Sequence, residues 1–192
     1  MPRRLVVATK NSDKVREVRA ILAEVAPQVE MVEGGDWPDV AETGATLEEN
    51  ALLKARAVAR ATGVAALADD TGLEVAALGG APGVHTARYA GPEADYAANR
   101  RALLAGLDGV ADRRARFRTV VALVLPDGAE TLAEGVLEGH ITSSERGSHG
   151  FGYDPVFEVD GETLAEMGEE RKNRISHRAR ALTALAAVGG PR

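Results

Sequence analysis

The chain has 192 residues, of which 45% are hydrophobic and 27% are charged, a balance typical of folded globular proteins. Its net charge of -6 argues against a general nucleic-acid-binding protein, which usually has an overall basic face. Cysteine is absent, so a metal would need oxygen ligands or one of four histidines, and oxygen ligands favour magnesium or manganese. No apolar run approaches the roughly 18 residues of a membrane span, and none has the form of a secretory signal. We therefore expect a cytoplasmic protein with no membrane or nucleic-acid partner.

The N-terminal part predicts two consecutive β-α units. Residues 5–8 indicate a short buried strand, and the apolar stripe over residues 15–25 has helical spacing, with Asn11 or Ser12 as its cap. Residues 34–44 have the composition of a loop. Thr46 and Glu49 then have the spacing of a capping box before a helix that runs toward residue 62, and a strand follows at residues 64–68. This order predicts a sheet with parallel strands.

The remaining elements predict an antiparallel lobe in the middle of the chain. A helix is expected over residues 94–107. Strands are expected over residues 117–125 and 131–141, joined by the turn at residues 126–128. A short strand at residues 156–159 precedes a final helix that Ser176 caps and that extends to residue 188. The predicted fold class is α/β, with a mixed sheet flanked by helices.

Two adjacent carboxylates, Asp69 and Asp70, follow the predicted strand at residues 64–68, and Thr71 and Gly72 follow them. Open α/β sheets bind ligands at the carboxyl ends of their strands, so this segment indicates a site for a metal and for proton transfer. The alternative is an ordinary turn at the end of the strand, because Asp, Thr and Gly all favour turns.

The turn after the first strand suits phosphate binding. Its backbone N–H groups lie at a helix N-terminus, where the helix dipole favours an anion, and Lys14 is long enough to reach a phosphate. Neither a P-loop nor a dinucleotide-binding glycine motif occurs in the chain. A basic cluster at residues 171–180 either binds a phosphate chain or is a solvated helix face.

Five segments, in order along the chain, form one recognisable set of motifs. The first two are ATKNSDK at residues 8–14 and ETGATLEENALLKA at residues 42–55. The longest is ADDTGLEVAALGGAPGVHTARY at residues 68–89. The last two are FGYDPVF at residues 151–157 and ERKNRISHRA at residues 170–179. Together they resemble the inosine/xanthosine triphosphate pyrophosphatases, and the resemblance covers nearly the whole chain.

The resemblance implies one ITPase-like domain over residues 1–192, with an elongated mixed sheet, two lobes and an active-site cleft between them. It implies magnesium-dependent hydrolysis of dITP, ITP and XTP to the monophosphate and pyrophosphate by a homodimer that cleanses the nucleotide pool. Asp70 would accept the proton and bind the metal, with Asp69 and Glu42 as further candidate ligands. The substrate-binding residues implied are Thr9, Lys10, Asn11, Ser12, Asp13, Lys14, Thr71, Phe151, Gly152, Tyr153, Asp154, Lys172, His177 and Arg178.

Within this set, the first turn and Lys172 would bind the phosphates, whereas residues 151–154, His177 and Arg178 would bind the base and sugar. A hydrogen-bond donor such as Arg178 or a backbone N–H would favour the keto oxygen of inosine and xanthosine over the amine of adenosine. Core packing is the alternative for Phe151 and Tyr153, and a basic surface turn is the alternative for His177 and Arg178.

Two positions depart from the family pattern. Lys10 stands where a glycine is common, so that its side chain either points outward or adds a charge to the phosphate site. Ala41 replaces an additional acidic residue, which leaves Glu42 as the nearest substitute. The alternative functions are a nucleotide-binding regulator on the same scaffold and a different phosphohydrolase that releases single phosphates.

Overall fold

The computed structural model describes residues 1–32 and 37–188, which form eight strands and five α-helices. The strands are β1 (Arg4–Val7), β2 (Glu30–Met31), β3 (Ala65–Val75), β4 (Pro82–Gly83), β5 (Arg114–Val124), β6 (Glu130–Ile141), β7 (Phe157–Val159) and β8 (Glu162–Thr163). The helices are α1 (Ser12–Val25), α2 (Leu47–Thr62), α3 (Tyr96–Gly106), α4 (Glu169–Ile175) and α5 (His177–Val188). Within the described ranges no helix is both long and apolar enough to cross a membrane.

The strands form a mixed sheet in the order β2-β1-β3-β5-β6-β7-β8, and β4 pairs with β3. Strand β1 is parallel to both β2 and β3, with Leu5 opposite Met31 on one side and Ala65 on the other. The β3–β4, β6–β7 and β7–β8 pairs are antiparallel. These pairings confirm the predicted mixed α/β fold.

The chain divides into two compact units. Unit one contains residues 1–70, residues 119–135 and the chain from Ser176 onward, and unit two contains residues 71–118 and 136–175. Strands β3, β5 and β6 therefore each contribute residues to both units. The assignment of residues 1–192 to a single domain remains a prediction.

Each unit has its own hydrophobic core. In unit one, helices α1 and α5 pack together over β1 and β3, with Leu5, Ile21, Leu67 and Leu182 almost fully buried. In unit two, the core includes Leu73, Leu103, Phe117, Leu137, Tyr153, Phe157 and Met167. The two cores hold the polar side chains described below in fixed positions.

Helix caps are formed by the residues expected from the sequence. The Asn11 side chain caps α1, and Thr46 caps α2 by accepting a hydrogen bond from the Glu49 N–H at 3.2 Å. Helix α2 ends at Gly63, which has a left-handed conformation with φ of 65°. The Ser176 Oγ accepts a hydrogen bond from the Ala179 N–H at 3.1 Å, so the predicted cap of α5 is confirmed.

The prediction that Asp69 and Asp70 lie at the end of a strand is wrong. Strand β3 continues through both residues to Val75, and Leu73 pairs with Gly83 of β4. The turn preferences of Asp, Thr and Gly are overridden because the buried carboxylates have cationic partners and because Leu73 and Val75 pack in the core of unit two. The strand-ending turn considered as the alternative is thereby excluded.

Other differences concern short elements. Helix α4 was not predicted, because its seven residues are mostly charged and show no apolar stripe. Residues 37–44 contain neither helix nor strand, as expected, while residues 34–36 of the predicted loop lie outside the described residues. The predicted strands at residues 117–125 and 131–141 correspond to β5 and β6, joined through the turn at residues 125–129.

Candidate functional site

The two adjacent carboxylates of β3 have different surroundings. Asp69 contacts side chains of α1 and α5, whereas Asp70 contacts side chains of α2. Successive side chains of a strand point to opposite faces of a sheet, so the neighbours Asp69 and Asp70 meet different helices. Both are almost fully buried, with 5% and 7% of their surface exposed.

Asp69 lies in a buried ion-pair network of unit one. Its Oδ2 atom is 3.1 Å from Lys14 Nζ and accepts a hydrogen bond from Arg178 Nη2 at 2.9 Å. Arg178 also contacts Glu17 through Nη1. Burial alone would raise the pKa of Asp69, but attraction to Lys14 and Arg178 outweighs it and holds that pKa well below its ordinary value. Asp69 is therefore ionised throughout the physiological pH range.

Asp70 contacts one cation and one amide group, both on α2. Its Oδ1 atom is 3.1 Å from Lys54 Nζ, and its Oδ2 atom accepts a hydrogen bond from Asn50 Nδ2 at 3.3 Å. Burial raises the pKa of Asp70, and the neighbouring Glu42 raises it further, against the lowering effect of Lys54. A carboxylate with a raised pKa and hydrogen-bonded neighbours is a suitable general base.

Lys54 lies between two carboxylates. In addition to Asp70, its Nζ atom contacts Glu42 Oε1 at 2.6 Å. Burial lowers the pKa of Lys54, but attraction to Asp70, Asp69 and Glu42 is stronger and leaves that pKa raised, so the ammonium group is charged. The Glu42 and Asp70 oxygens therefore converge on one cation-binding position.

Asn50 connects Asp70 to the segment that carries Glu42. The Asn50 side-chain oxygen accepts a hydrogen bond from the Gly44 N–H at 2.8 Å, which leaves the amide nitrogen to donate to Asp70. A Cβ atom at Gly44 would lie 2.7 Å from that oxygen, so the close approach depends on glycine.

Sequence reasoning missed Asn50, Lys54 and Glu17 as members of the site. A signal was present for the first two. Asn50 and Lys54 are four residues apart on α2 and share the face on which Ala51, Ala55 and Val58 are buried. Two polar side chains on the buried face of a helix require polar partners, and Asp70 is the common partner here.

The turn before α1 is held by its own side chains. Asn11 Oδ1 accepts hydrogen bonds from the N–H groups of Asp13 and Lys14 at 2.9 and 3.3 Å, and Thr9 Oγ1 accepts one from the Asn11 N–H. Ser12 is the first residue of α1. The exposed Lys10 ammonium pairs with Asp39 at 2.5 Å, which agrees with the outward-pointing alternative. Of the charged residues in this turn, Lys14 is the one directed at the carboxylate pair, while Asp13 pairs with Arg16.

A second group of predicted residues lies together in unit two. Asp154 Oδ2 accepts hydrogen bonds from the Phe151 N–H at 2.8 Å and from Lys172 Nζ at 2.7 Å. The Lys172 ammonium is also 4.8 Å from the centre of the Phe151 ring, within the range of a cation–π interaction. Phe151, Asp154 and Lys172 thus form one compact contact group, with the Phe151 ring half-buried.

Tyr153 is part of the core of unit two, and its assignment to substrate binding remains a prediction. Its ring is 4% exposed, and its hydroxyl donates a hydrogen bond to the Thr86 carbonyl at 2.9 Å. Burial raises the pKa of that hydroxyl above its ordinary value. The Gly152 carbonyl accepts a hydrogen bond from Arg100. Side-chain packing, the alternative considered for Tyr153, describes its position in the structure.

For three predicted substrate-binding residues, the observed neighbours differ from those that the prediction gives them. Lys172 was grouped with the first turn, but its contacts are Asp154 and Phe151 of unit two. His177 and Arg178 were grouped with residues 151–154, yet they belong to unit one, where His177 Nδ1 is hydrogen-bonded to Thr119 Oγ1. Both side chains are nearly fully buried, so a basic surface turn does not describe them. Their assignment to substrate binding remains a prediction.

The basic cluster at residues 171–180 combines two kinds of residue. Arg171 and Arg174 are exposed and pair with Glu162 and Glu170, as expected for a solvated helix face. Lys172 and Arg178 are buried and have carboxylate partners. The buried members of the cluster, which also include His177, are held in place by these contacts and by the hydrogen bond between His177 and Thr119.

The oxygen ligands available near Asp70 fit magnesium. This ion commonly takes one or two protein carboxylates and completes its shell with water and substrate phosphates. Glu42 and Asp70 provide two carboxylates that face one position, whereas Asp69 is occupied by Lys14 and Arg178. The described part of the chain contains no group of three or more acidic, histidine or cysteine side chains placed to hold a metal.

The chain is similar to known proteins over nearly its whole length. A profile described as the Ham1 family matches residues 5–188. A dITP/XTP pyrophosphatase of Symbiobacterium thermophilum is 54% identical over 184 residues, covering 94% of this chain and 91% of that protein. The corresponding protein of Syntrophobacter fumaroxidans is 52% identical, covering 94% of this chain and 79% of that protein.

Solved structures are also similar to this chain over nearly its whole length. The HAM1 protein from Coxiella burnetii has a TM-score of 0.86 and 41% identity, covering 96% of this chain and 97% of that one. A nucleoside-triphosphatase or dITP/XTP pyrophosphatase from Mycobacterium abscessus has a TM-score of 0.73 and 43% identity, covering 95% of this chain and 97% of that one. The similarity therefore includes nearly all of the residues described above.

Proposed function

Because the chain belongs to the Ham1 family, we propose that it hydrolyses noncanonical purine nucleoside triphosphates (dITP, ITP and XTP) to the monophosphate and pyrophosphate. It is a nucleoside triphosphate pyrophosphatase, a hydrolase acting on an acid anhydride. Water attacks the phosphorus nearest the sugar, the bond to the next bridging oxygen breaks, and pyrophosphate leaves.

The observation that carries this proposal is that the two carboxylates have different surroundings, which shift their pKa values in opposite directions. When neighbouring acids have pKa values shifted in opposite directions, the acid with the raised value is suited to proton transfer and the other to fixed charge. Asp70 has the raised pKa and Asp69 the lowered one. Asp70 is therefore assigned as the base that accepts the proton of the attacking water, a role worth on the order of 10²- to 10⁴-fold in rate.

Asp69 acts by positioning. Its contacts with Lys14 and Arg178 tie β3 to α1 and α5, so Asp70, the next residue of the strand, has little freedom to move. The same contacts hold the Lys14 ammonium beside the carboxylate pair. Phosphoryl transfer depends mainly on positioning and charge neutralisation, so fixed cations are what the reaction requires.

The triphosphate is assigned to the N-terminus of α1. The backbone N–H groups there and the helix dipole favour an anion, and Thr9, Ser12 and Lys14 provide side-chain donors. Glu42 and Asp70 would hold magnesium, with Asp69 outside its shell. The ion would supply charge neutralisation and orientation of the phosphates.

The purine is assigned to the Phe151 group of unit two. A half-buried aromatic ring offers a flat face to a base, and such stacking is worth roughly 1–3 kcal/mol. Lys172 and Asp154 fix the ring and the backbone around it. Since the Arg178 guanidinium already contacts Asp69 and Glu17, backbone N–H groups are the better candidates for recognising the 6-keto oxygen. Rejection of adenosine would then amount to about 5- to 150-fold, because an amine leaves a buried donor unpaired at about 1–3 kcal/mol.

The cellular role that follows is removal of noncanonical purines from the nucleotide pool before a polymerase incorporates them. We place this role in the cytoplasm and assign the active form as a homodimer. Gel filtration with light scattering at working concentration tests the homodimer directly, and a single monomeric peak would contradict it.

The decisive experiment measures hydrolysis of ITP, XTP, GTP and ATP with magnesium, with pyrophosphate and orthophosphate assayed separately. We expect pyrophosphate as the product and a strong preference for ITP and XTP. Orthophosphate as the product would identify a phosphatase. Tight nucleotide binding with no turnover would identify a regulator on the same scaffold.

A further inference from the structure

The Lys54 ammonium occupies the position at which the candidate metal ligands meet. It is 2.6 Å from Glu42 Oε1 and 3.1 Å from Asp70 Oδ1, and its side chain is only 11% exposed. Both carboxylates are therefore paired with one cation that belongs to the chain itself.

A divalent ion and this ammonium group cannot share the position. Magnesium binds carboxylate oxygens at about 2.0–2.1 Å, closer than the ammonium contacts, and the two cations would repel each other in a site screened from water. Binding of the ion to both carboxylates requires Lys54 to move away and to leave a buried charge without its partners, which is unfavourable unless a new anion replaces them.

We propose that Lys54 is the resident counter-cation of Glu42 and Asp70 in the nucleotide-free protein, and that the divalent ion enters only together with a triphosphate. The phosphate oxygens complete the shell of the ion and also give the displaced ammonium a new anionic partner. This inference rests on the proposed function for the identity of the triphosphate, but the competition between Lys54 and the metal is a property of the free protein.

Two further observations support this order of events. Asn50 binds the Gly44 N–H and Asp70 at the same time, so the segment that carries Glu42 has a link to Asp70 that does not depend on Lys54. No third acidic ligand is present among the described residues to form a complete protein cage around a metal. A two-carboxylate site that already holds a cation has little affinity for a free divalent ion.

The test measures Mn²⁺ binding without nucleotide, by the loss of the free Mn²⁺ signal in electron paramagnetic resonance and by calorimetry. Lys54→Met should bind Mn²⁺ at least about tenfold more tightly than the unmodified protein, since the two carboxylates lose their counter-cation. The Glu42→Gln/Lys54→Met double variant should lose that gain. Lys172→Met removes another buried lysine, which pairs with Asp154, and should bind Mn²⁺ no more tightly than the unmodified protein.

Equal Mn²⁺ affinity in the unmodified protein and in a folded Lys54→Met variant would overturn the inference. Where that variant fails to fold, NMR of the lysine ammonium groups in the unmodified, ¹⁵N-lysine-labelled protein decides the question. The Lys54 signal should stay unchanged in millimolar Mg²⁺ alone, and a shift on addition of Mg²⁺ alone would overturn the inference. Neither measurement requires hydrolysis, so failure of the proposed activity would be recognised separately in the product assay.

Discussion

Asp69 and Asp70 are consecutive residues of one strand, yet they pair with cations from different helices. Asp69 contacts Lys14 of α1 and Arg178 of α5, whereas Asp70 contacts Lys54 of α2. Burial would raise both pKa values, but attraction to Lys14 and Arg178 outweighs it and lowers that of Asp69. At Asp70 burial outweighs the attraction of Lys54, and the pKa is raised. The same two amino acids are thus suited to different roles: Asp69 holds the fold together, and Asp70 is proposed to transfer the proton.

Asp70→Asn should abolish most turnover while leaving the fold intact. Asparagine keeps the size of the side chain and its oxygen can still accept a hydrogen bond from Lys54 or Asn50, but it cannot accept a proton at neutral pH. We expect kcat to fall on the order of 10²- to 10⁴-fold, with nucleotide binding largely retained. Pyrophosphate release and calorimetric titration with ITP measure the two effects, and near-normal turnover would remove Asp70 as the base.

Asp69→Asn should act mainly on stability. Removing one carboxylate from a buried network leaves Arg178 with Glu17 as its main partner and leaves Lys14 without its ion pair. Breaking a buried pair in this way costs about 3–5 kcal/mol in the free energy of unfolding. Urea denaturation followed by circular dichroism checks this, with Asp70→Asn as the matched control that should lose much less. Equal losses in the two variants would contradict the division of roles.

Activity should fail before stability as the pH is lowered. The base must be ionised, and the pKa of Asp70 in the free protein lies above the ordinary 3.8, so kcat/KM falls in a pH range above that value. Asp69 has a folded-state pKa below 3.8, so its contribution to stability is complete above that pH and is lost only as the pH falls further. The difference in unfolding free energy between the unmodified protein and Asp69→Asn should therefore stay constant through the acid limb of kcat/KM. A difference that shrinks in parallel with kcat/KM would refute this prediction.

Phe151→Ala should weaken substrate capture more than it slows chemistry. Loss of a stacking face worth roughly 1–3 kcal/mol corresponds to an increase in KM of about 5- to 150-fold, while kcat should change little because Asp70 is untouched. Phe151→Tyr keeps the aromatic face and serves as the control. Steady-state kinetics with ITP separate the two parameters. A fall confined to kcat would mean that the ring does not bind the base.

Gly150→Ala should disrupt the loop that positions Phe151. Gly150 has a φ of 72°, and a Cβ atom there would lie 2.0 Å from Asp154 Oδ2, the oxygen that accepts hydrogen bonds from Phe151 and Lys172. Gly79→Ala is the control, because its φ of 62° is similar but no atom lies within 4 Å of the added Cβ. Both variants should lose about 1–2 kcal/mol for the left-handed backbone, and Gly150→Ala should lose more and also bind ITP less tightly. Thermal unfolding and ITP titration compare them; equal stability and affinity would show that Asp154 can move without consequence.

Much of the architecture could be predicted from the sequence because the signals are local. Apolar spacing indicated α1, and side-chain chemistry indicated the Asn11, Thr46 and Ser176 caps. The hairpin of β5 and β6 was indicated by two β-branched runs around a turn. Each of these features depends on residues that are close in sequence, where short-range hydrogen bonds and periodic burial are sufficient.

The sequence by itself determined the mixed α/β fold, the family and the presence of an acidic pair at residues 69–70. Only the tertiary structure decided the surroundings of that pair, because the partners of Asp69 and Asp70 come from 16 to 109 residues away along the chain. Such contacts replaced an expected turn by a continuous strand, since buried carboxylates are stable inside a sheet when distant cations neutralise them. The same long-range pairing revealed Asn50 and Lys54, whose roles depend on the face of α2 that meets β3 rather than on any pattern within α2 alone.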